Sequence, residues 1–307
     1  MFLKCLSPVL LLLVLMAHPA LADRPDFLVD AEWLEARHDD PNLVLLEVRY
    51  YPHRYYTVGH IPGAQQVQRF KDLHDHETPI GRFPGREAFE ATLRSWGVND
   101  DSLVVIYDDS RTALASRLYF LMALFGFDME RVKVMEGGTI EWEAFNPMST
   151  EAPQVTPGTV TLSEPRSELI VEWTEVYDRV YSRRDPSVVL LDLRPVPQYT
   201  GEVINGAVRG GHIPGAINIV SLDATDGIAQ TWHGMPDVGR MYREIPREST
   251  IYAYCHDGYR STLAYMQLKA LGYEDVRVMN GGWAQWGNEL SLPVVEGPEP
   301  LDPAHFP

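Results

Sequence analysis

A six-residue string, Gly-His-Ile-Pro-Gly-Ala, occurs twice in this chain, at residues 59–64 and 211–216, and it marks a repeat that organises most of the sequence. Each copy follows an apolar run that ends in an acid-x-Arg triplet, Glu47-Val48-Arg49 in the first and Asp192-Leu193-Arg194 in the second. Further on, the apolar run ending at Asp108 is answered by the run ending at Cys255. Each is followed by an amphipathic stretch, then by a third run that leads to Gly137-Gly138 with Trp142, or to Gly281-Gly282 with Trp286. The order of these signals is the same in both halves. A unit of roughly 150 residues is too long for a solenoid repeat and suits a duplicated domain.

Within each copy, short β-branched runs alternate with helical patterns at 87–96, 114–124 and 261–271. That alternation predicts an α/β chain of two tandem domains, each a mainly parallel sheet with helices on both faces. The first domain is expected over 25–148 and the second over 167–295. The stretch 149–166, with Pro153, Pro157 and Pro165, breaks both periodicities and reads as a linker, and 296–307 reads as an acidic, proline-rich tail. A hydrophobic content of 45% is enough for two cores.

The first 22 residues differ in character. Lys4 precedes an apolar stretch over 6–16, and Ala20-Leu21-Ala22 follows at a plausible cleavage point. This is the pattern of a secretory signal peptide, and the apolar run is shorter than the roughly 20 residues a membrane-spanning helix needs. An exported protein, periplasmic or secreted and without a stable membrane anchor, is therefore expected. The two cysteines are Cys5 and Cys255, so cleavage leaves one thiol. An unpaired cysteine in an exporting compartment points to a reactive thiol or an intermolecular bridge, unless it is buried and inert. A formal charge of -17 argues against nucleic acid as a partner and requires any small anionic substrate to be met by a local positive site.

The neighbours of Cys255 supply such a site. Cys255-His256-Asp257-Gly258-Tyr259-Arg260 connects the end of a buried strand to a helix beginning near Ser261. Ligands of open α/β sheets bind at the carboxyl ends of strands. A loop curled around its first side chain turns backbone N–H groups inward, and the helix start adds positive potential. Gly258 suits a curl that needs positive φ, and Arg260 brings a permanent cation. Such surroundings keep a thiol in its nucleophilic form. Asp257 opposes this if it turns inward, and its carboxylate is expected to face solvent.

With these elements the chain resembles the rhodanese family, and within it the tandem-domain thiosulfate and 3-mercaptopyruvate sulfurtransferases. The resemblance runs from about residue 27 to residue 293 and rests on the paired acid-x-Arg, Gly-His-Ile-Pro-Gly-Ala and Gly-Gly-x3-Trp elements besides the cysteine loop. It implies that Cys255 attacks the outer sulfur of thiosulfate, releases sulfite, and passes the persulfide sulfur to cyanide or a thiol, including a protein thiol. His256, Asp257, Gly258, Tyr259 and Arg260 are the expected substrate-binding loop, with Asp192 and Arg194 as a supporting ion pair beneath it. No cofactor and no metal are expected. In the first copy Asp108 stands in place of the cysteine, and with Asp109 and a changed loop length the anion cradle is expected to be lost. That domain is then catalytically silent and, by the resemblance, walls the active site.

The polar loop favours thiosulfate as donor. Gln198 replaces the arginine that usually precedes Tyr-x-Gly in the tandem family, so 3-mercaptopyruvate stays open, as does a carrier of sulfur or selenium, or a redox module, without turnover. A cysteine phosphatase is disfavoured because four residues, not five, separate Cys255 from Arg260. His60 and His212 recur in both copies, which argues for packing over chemistry. The run His74-Asp75-His76-Glu77 lacks a tetrahedral complement for a metal and reads as a solvated loop.

Overall fold

The computed structural model describes residues 24–78 and 81–300, so the expected signal peptide lies outside the described residues. Each half forms a five-stranded sheet with every ladder parallel. The first comprises β1 (Leu28–Val29), β2 (Leu43–Val48), β3 (Gln65–Val67), β4 (Leu103–Asp108) and β5 (Val132–Met135), in the order β1-β5-β4-β2-β3. The second comprises β6 (Ile170–Val171), β7 (Val188–Asp192), β8 (Ile217–Asn218), β9 (Thr250–Tyr254) and β10 (Val276–Met279), in the corresponding order β6-β10-β9-β7-β8. β4 and β9 are central and buried, and the loops after their last residues begin at the carboxyl edge where ligands bind.

The two sheets are joined through one helix from each. Ala113–Leu124 and Tyr259–Ala270 are buried around most of their circumference, because each lies between its own sheet and the other domain. They meet at Ser116 and Thr262, whose hydroxyl oxygens are 2.9 Å apart. The largest apolar cluster accordingly runs through both halves, from Leu46 and Ile106 to Ile251 and Leu263. Two smaller clusters fill the outer faces.

The repeated histidines hold the ends of the domains in place. His60 stacks on Tyr55 and His212 on Tyr199, with ring centroids 3.6 and 3.7 Å apart. Their backbones bridge to Ser149 and Val295, where the chain leaves each domain. The proline-rich stretch after Ser149 is irregular but strapped along the first domain. Gly158 donates to the Arg94 carbonyl and Val160 to that of Val98, while Val160 and Leu162 are buried. Among the described residues no helix is long and apolar enough to cross a membrane.

Candidate active site

β9 delivers Cys255 to the junction of the two domains, and the next three residues turn directly into the helix Tyr259–Ala270. Gly258 caps that helix with φ +103°, and its N–H donates to Cys255 Sγ at 3.2 Å. Only glycine fits, since a Cβ there would lie 2.2 Å from an Arg117 nitrogen. Ser261 Oγ, in the first helical turn, is 3.7 Å from Sγ. From below, Trp283 and Ala284 donate their N–H groups to the carbonyls of Cys255 and His256, at 2.8 and 2.9 Å. A Cβ on Gly282 would come within 2.7 Å of the Cys255 carbonyl, which explains the second glycine of the pair. The loop carbonyls are thus tied to a second helix start, leaving the amide side for the sulfur.

The expected support is in place. Asp192 and Arg194 are buried and doubly hydrogen-bonded, at 2.9 Å through Nε and 2.6 Å through Nη2, and Arg194 also donates to the Gly211 carbonyl. Its guanidinium lies 4.3 Å over the Trp283 ring. Glu47 and Arg49 form the matching pair in the first domain. Arg117 donates to the Asp257 carbonyl, and Arg194 lies over Trp283, whose N–H holds the Cys255 carbonyl, so both guanidiniums lie close to the loop that carries the thiol.

Arg117 is a site residue that sequence reading missed. It projects from the first domain, is wholly buried, and spends its donors on four carbonyls: Leu73, Asp257, Gly81 and Arg82, at 2.6–3.1 Å. Tyr259 and Phe83 lie against its guanidinium. The signal was an asymmetry in the repeat, because the register set by Ser116 and Thr262 places Leu263 opposite Arg117. Ser261 was also missed; in sequence it is merely the serine after Arg260.

Three expectations are corrected. Asp257 does not simply face solvent: it is half-buried, packs against Gly81 of the first domain, and lines a cleft between the domains. His74 is not part of a solvated loop, because Nε2 pairs with the Tyr259 hydroxyl at 3.0 Å and burial, aided by Arg117 and Arg69, pushes its pKa down to about 3. Finally, the first domain has not lost its cradle. The N–H groups of Ser110, Thr112, Leu114 and Ala115 all donate to the Asp108 carboxylate, at 2.7–3.0 Å. The longer loop still curls around its acid, and burial pushes Asp108 up to about 6 against the amides that favour its charge. The cradle is occupied by the chain's own carboxylate.

The cleft measures about 480 Å³ and is lined by His256, Asp257, Tyr259 and Arg260 from the cysteine loop, with Gln198 nearby and Arg69 and Arg111 from the first domain. Cys255 itself has no exposed surface. The Arg260 side chain makes no hydrogen bond or ion pair among the described residues, so its charge is available to the cleft. His256 has lost basicity through burial, its Nδ1 has no partner among the described residues, and its ring packs against Gly206. Among the described residues no cluster of His, Cys, Asp and Glu could hold a metal.

The family profile described as Rhodanese-like domain matches residues 30–145 and 176–289, one copy per sheet. The chain belongs to the rhodanese family. Curated relatives include the sulfur carrier protein TtuD of Thermus thermophilus, 30% identical over 90% of this chain and 98% of the relative. Another is the thiosulfate sulfurtransferase of Azotobacter vinelandii, 32% identical over 85% and 94%. Among solved structures, the rhodanese fold of the Escherichia coli 3-mercaptopyruvate sulfotransferase SseA superposes with a TM-score of 0.73 at 24% identity, covering 84% of this chain and 98% of that one. The Azotobacter relative is named a sulfurtransferase and the Thermus relative a sulfur carrier, and the superposition shows that the fold is shared.

Proposed function

We propose that this rhodanese is an exported thiosulfate sulfurtransferase whose sulfur passes through a persulfide on Cys255. The carrying observation is the position of Sγ, under the Gly258 N–H at a helix start and beneath a cleft that presents the unpaired Arg260. The silent loop supports the reading. Its Asp108 oxygens accept from Leu114 and Ala115 in the first helical turn, and the register set by Ser116 and Thr262 makes Arg260 and Ser261 their equivalents. An anionic atom one bond beyond Sγ meets those amides in the catalytic loop.

The first half-reaction is a displacement at sulfur. The Cys255 thiolate attacks the outer sulfur of thiosulfate, the S–S bond of the donor breaks, and its electron pair leaves with sulfite. The terminal sulfur then carries the negative charge toward the amides. In the second half-reaction an acceptor thiolate or cyanide attacks that sulfur, and the pair returns to Cys255. Arg260 holds the sulfonate end of the donor.

Thiosulfate is preferred over 3-mercaptopyruvate because the loop after Cys255 is polar and carries the unpaired Arg260, which suits a compact dianion. Intact mass spectrometry after incubation with each donor tests this: thiosulfate should add one sulfur to the wild-type chain and none to Cys255→Ser. Loading by mercaptopyruvate alone would reverse the donor assignment. Stoichiometric loading without turnover on cyanide or free thiols would favour a carrier, the role named for the Thermus relative. Export is supported by the leader-like first 22 residues, and recovery of a shortened chain from the periplasm or medium tests it.

A further inference from the structure

The cleft is much larger than thiosulfate, a small tetrahedral dianion, and lies within the roughly 300–1,000 Å³ range typical of sites for drug-sized ligands. Its wall on the cysteine-free side is cationic. Arg69 and Arg111 both come from the domain without a cysteine, and neither side chain makes a hydrogen bond or an ion pair among the described residues. The Arg69 guanidinium is held 4.0 Å over Tyr50 and 4.2 Å over Phe70, while its Nε is buried and unpartnered. Arg111 lies against Gly227 of the other domain.

The backbone at Arg111 reinforces the point. Arg111 and Thr112 have φ of +59° and +64°, and Gln230, from the other domain, has +60°. Left-handed residues other than glycine are costly, and they collect at functional sites. The Gln230 side chain accepts the Arg111 N–H at 3.1 Å, so the strain is fixed where the two domains meet. Carboxylates also line the cleft, Asp109 and Asp257. Asp109 is engaged with the Tyr50 N–H and the Ser110 hydroxyl. Two guanidiniums of the cysteine-free domain therefore face the cleft beside Arg260, in a chain of net charge -17, with no carboxylate paired to them among the described residues.

We propose that Arg69 and Arg111 form an anion subsite supplied by the cysteine-free domain, which takes the carboxylate of a thiol acceptor while its sulfur attacks the persulfide on Cys255. The inference rests on the sulfurtransferase reading above. In the step, the acceptor thiolate bonds to the terminal sulfur, the Cys255 S–S bond breaks, and Sγ keeps the electron pair. The acceptor leaves as a persulfide with no external oxidant or reductant. Arg260 serves the sulfonate of the donor in the reading above, which leaves Arg69 and Arg111 for the acceptor.

The test compares glutathione, which carries two carboxylates, with uncharged 2-mercaptoethanol in discharging thiosulfate-loaded protein. In Arg69→Gln and in Arg111→Gln the ratio of kcat/KM for glutathione over 2-mercaptoethanol should fall about tenfold. Rising salt should lower it in the wild type. A ratio within twofold of wild type in both variants overturns the proposal. Calorimetric binding of S-methylglutathione to the unloaded protein reads the subsite without any chemistry at Cys255, and its affinity should fall about tenfold in each variant. If thiosulfate fails to load Cys255, the sulfurtransferase reading fails, and the calorimetry still decides the subsite. If the variants slow loading by mercaptopyruvate while S-methylglutathione binds as before, the subsite serves the donor and the acceptor assignment is wrong.

Discussion

Replacing Arg117 by leucine tests whether the cysteine-free domain holds the catalytic loop. Arg117 donates to the carbonyls of Leu73, Asp257, Gly81 and Arg82, and leucine donates to none. At about 1 kcal/mol for each bond that water can partly replace, the loss is ~4 kcal/mol. Burying a guanidinium is itself costly, and relief of that cost offsets part of the loss, leaving a net destabilisation of ~2–3 kcal/mol. For a chain of this size that corresponds to a fall in Tm of roughly 3–5 °C. The effect on chemistry should be larger than the effect on stability. The Asp257 carbonyl is released two residues from Cys255, and a shift of about 1 Å at a reacting centre costs on the order of 100-fold in rate. Rapid-quench mass spectrometry of persulfide formation, on protein kept well below its Tm, measures this directly. Arg117→Lys separates charge from geometry: it keeps a cation but not the planar fork, so it should recover only part of the rate. A leucine variant that loads sulfur within twofold of wild type would refute the reasoning, and a lysine variant with full activity would show that charge alone is required.

Other changes probe the same loop. Gly258→Ala places a Cβ 2.2 Å from Arg117 at a φ of +103°, and should abolish loading, with a fall in stability seen by thermal melting; near-normal loading would mean that the curl is not needed. His256→Gln should load sulfur within about threefold of wild type, because the ring is neutral and makes no bond to Sγ, whereas a general acid or base would cost about 100-fold or more. His74, held neutral by burial, has its pKa lowered from 6.5 to about 3. The unfolded chain therefore gains a proton below pH 6.5 that the folded chain refuses, so folding stability falls as pH drops from 6.5 toward 3. His74→Gln, which can still bond the Tyr259 hydroxyl, should flatten that slope in urea titrations; an unchanged slope would place the titrating group elsewhere.

The parts of the molecule that repeat were legible in the sequence. Periodicity predicts strands at β2, β4, β7 and β9 within a residue or two, whereas the doubled Gly-Gly-x3-Trp element is legible only as a marker of the repeat, and its anchoring of the loop carbonyls comes from the structure. Cys255, Gly258 and the Asp192–Arg194 pair were legible because each combines a residue type with a position that has a physical requirement. What sequence could not show lies between the halves. Arg117, Arg69 and Arg111 are far from Cys255 along the chain, and only the packing of Ala113–Leu124 against Tyr259–Ala270 brings them to it. His74 was misread for the same reason, since its partner Tyr259 is 185 residues away. Asp108 was read as the loss of a cradle because a change of side chain says nothing about the amides around it.

Those four amides around Asp108 have a consequence for engineering. The Asp108 loop holds a carboxylate of its own chain at the place where an outside anion would sit. Asp108→Cys alone would strip that carboxylate from a loop one residue longer than the catalytic one, with Arg111 and Thr112 still in left-handed conformations. Converting the chain into a double-headed enzyme therefore calls for the whole segment from residue 108 to residue 112 to be exchanged for the four residues from Cys255 to Gly258. A single substitution would yield a vacant socket.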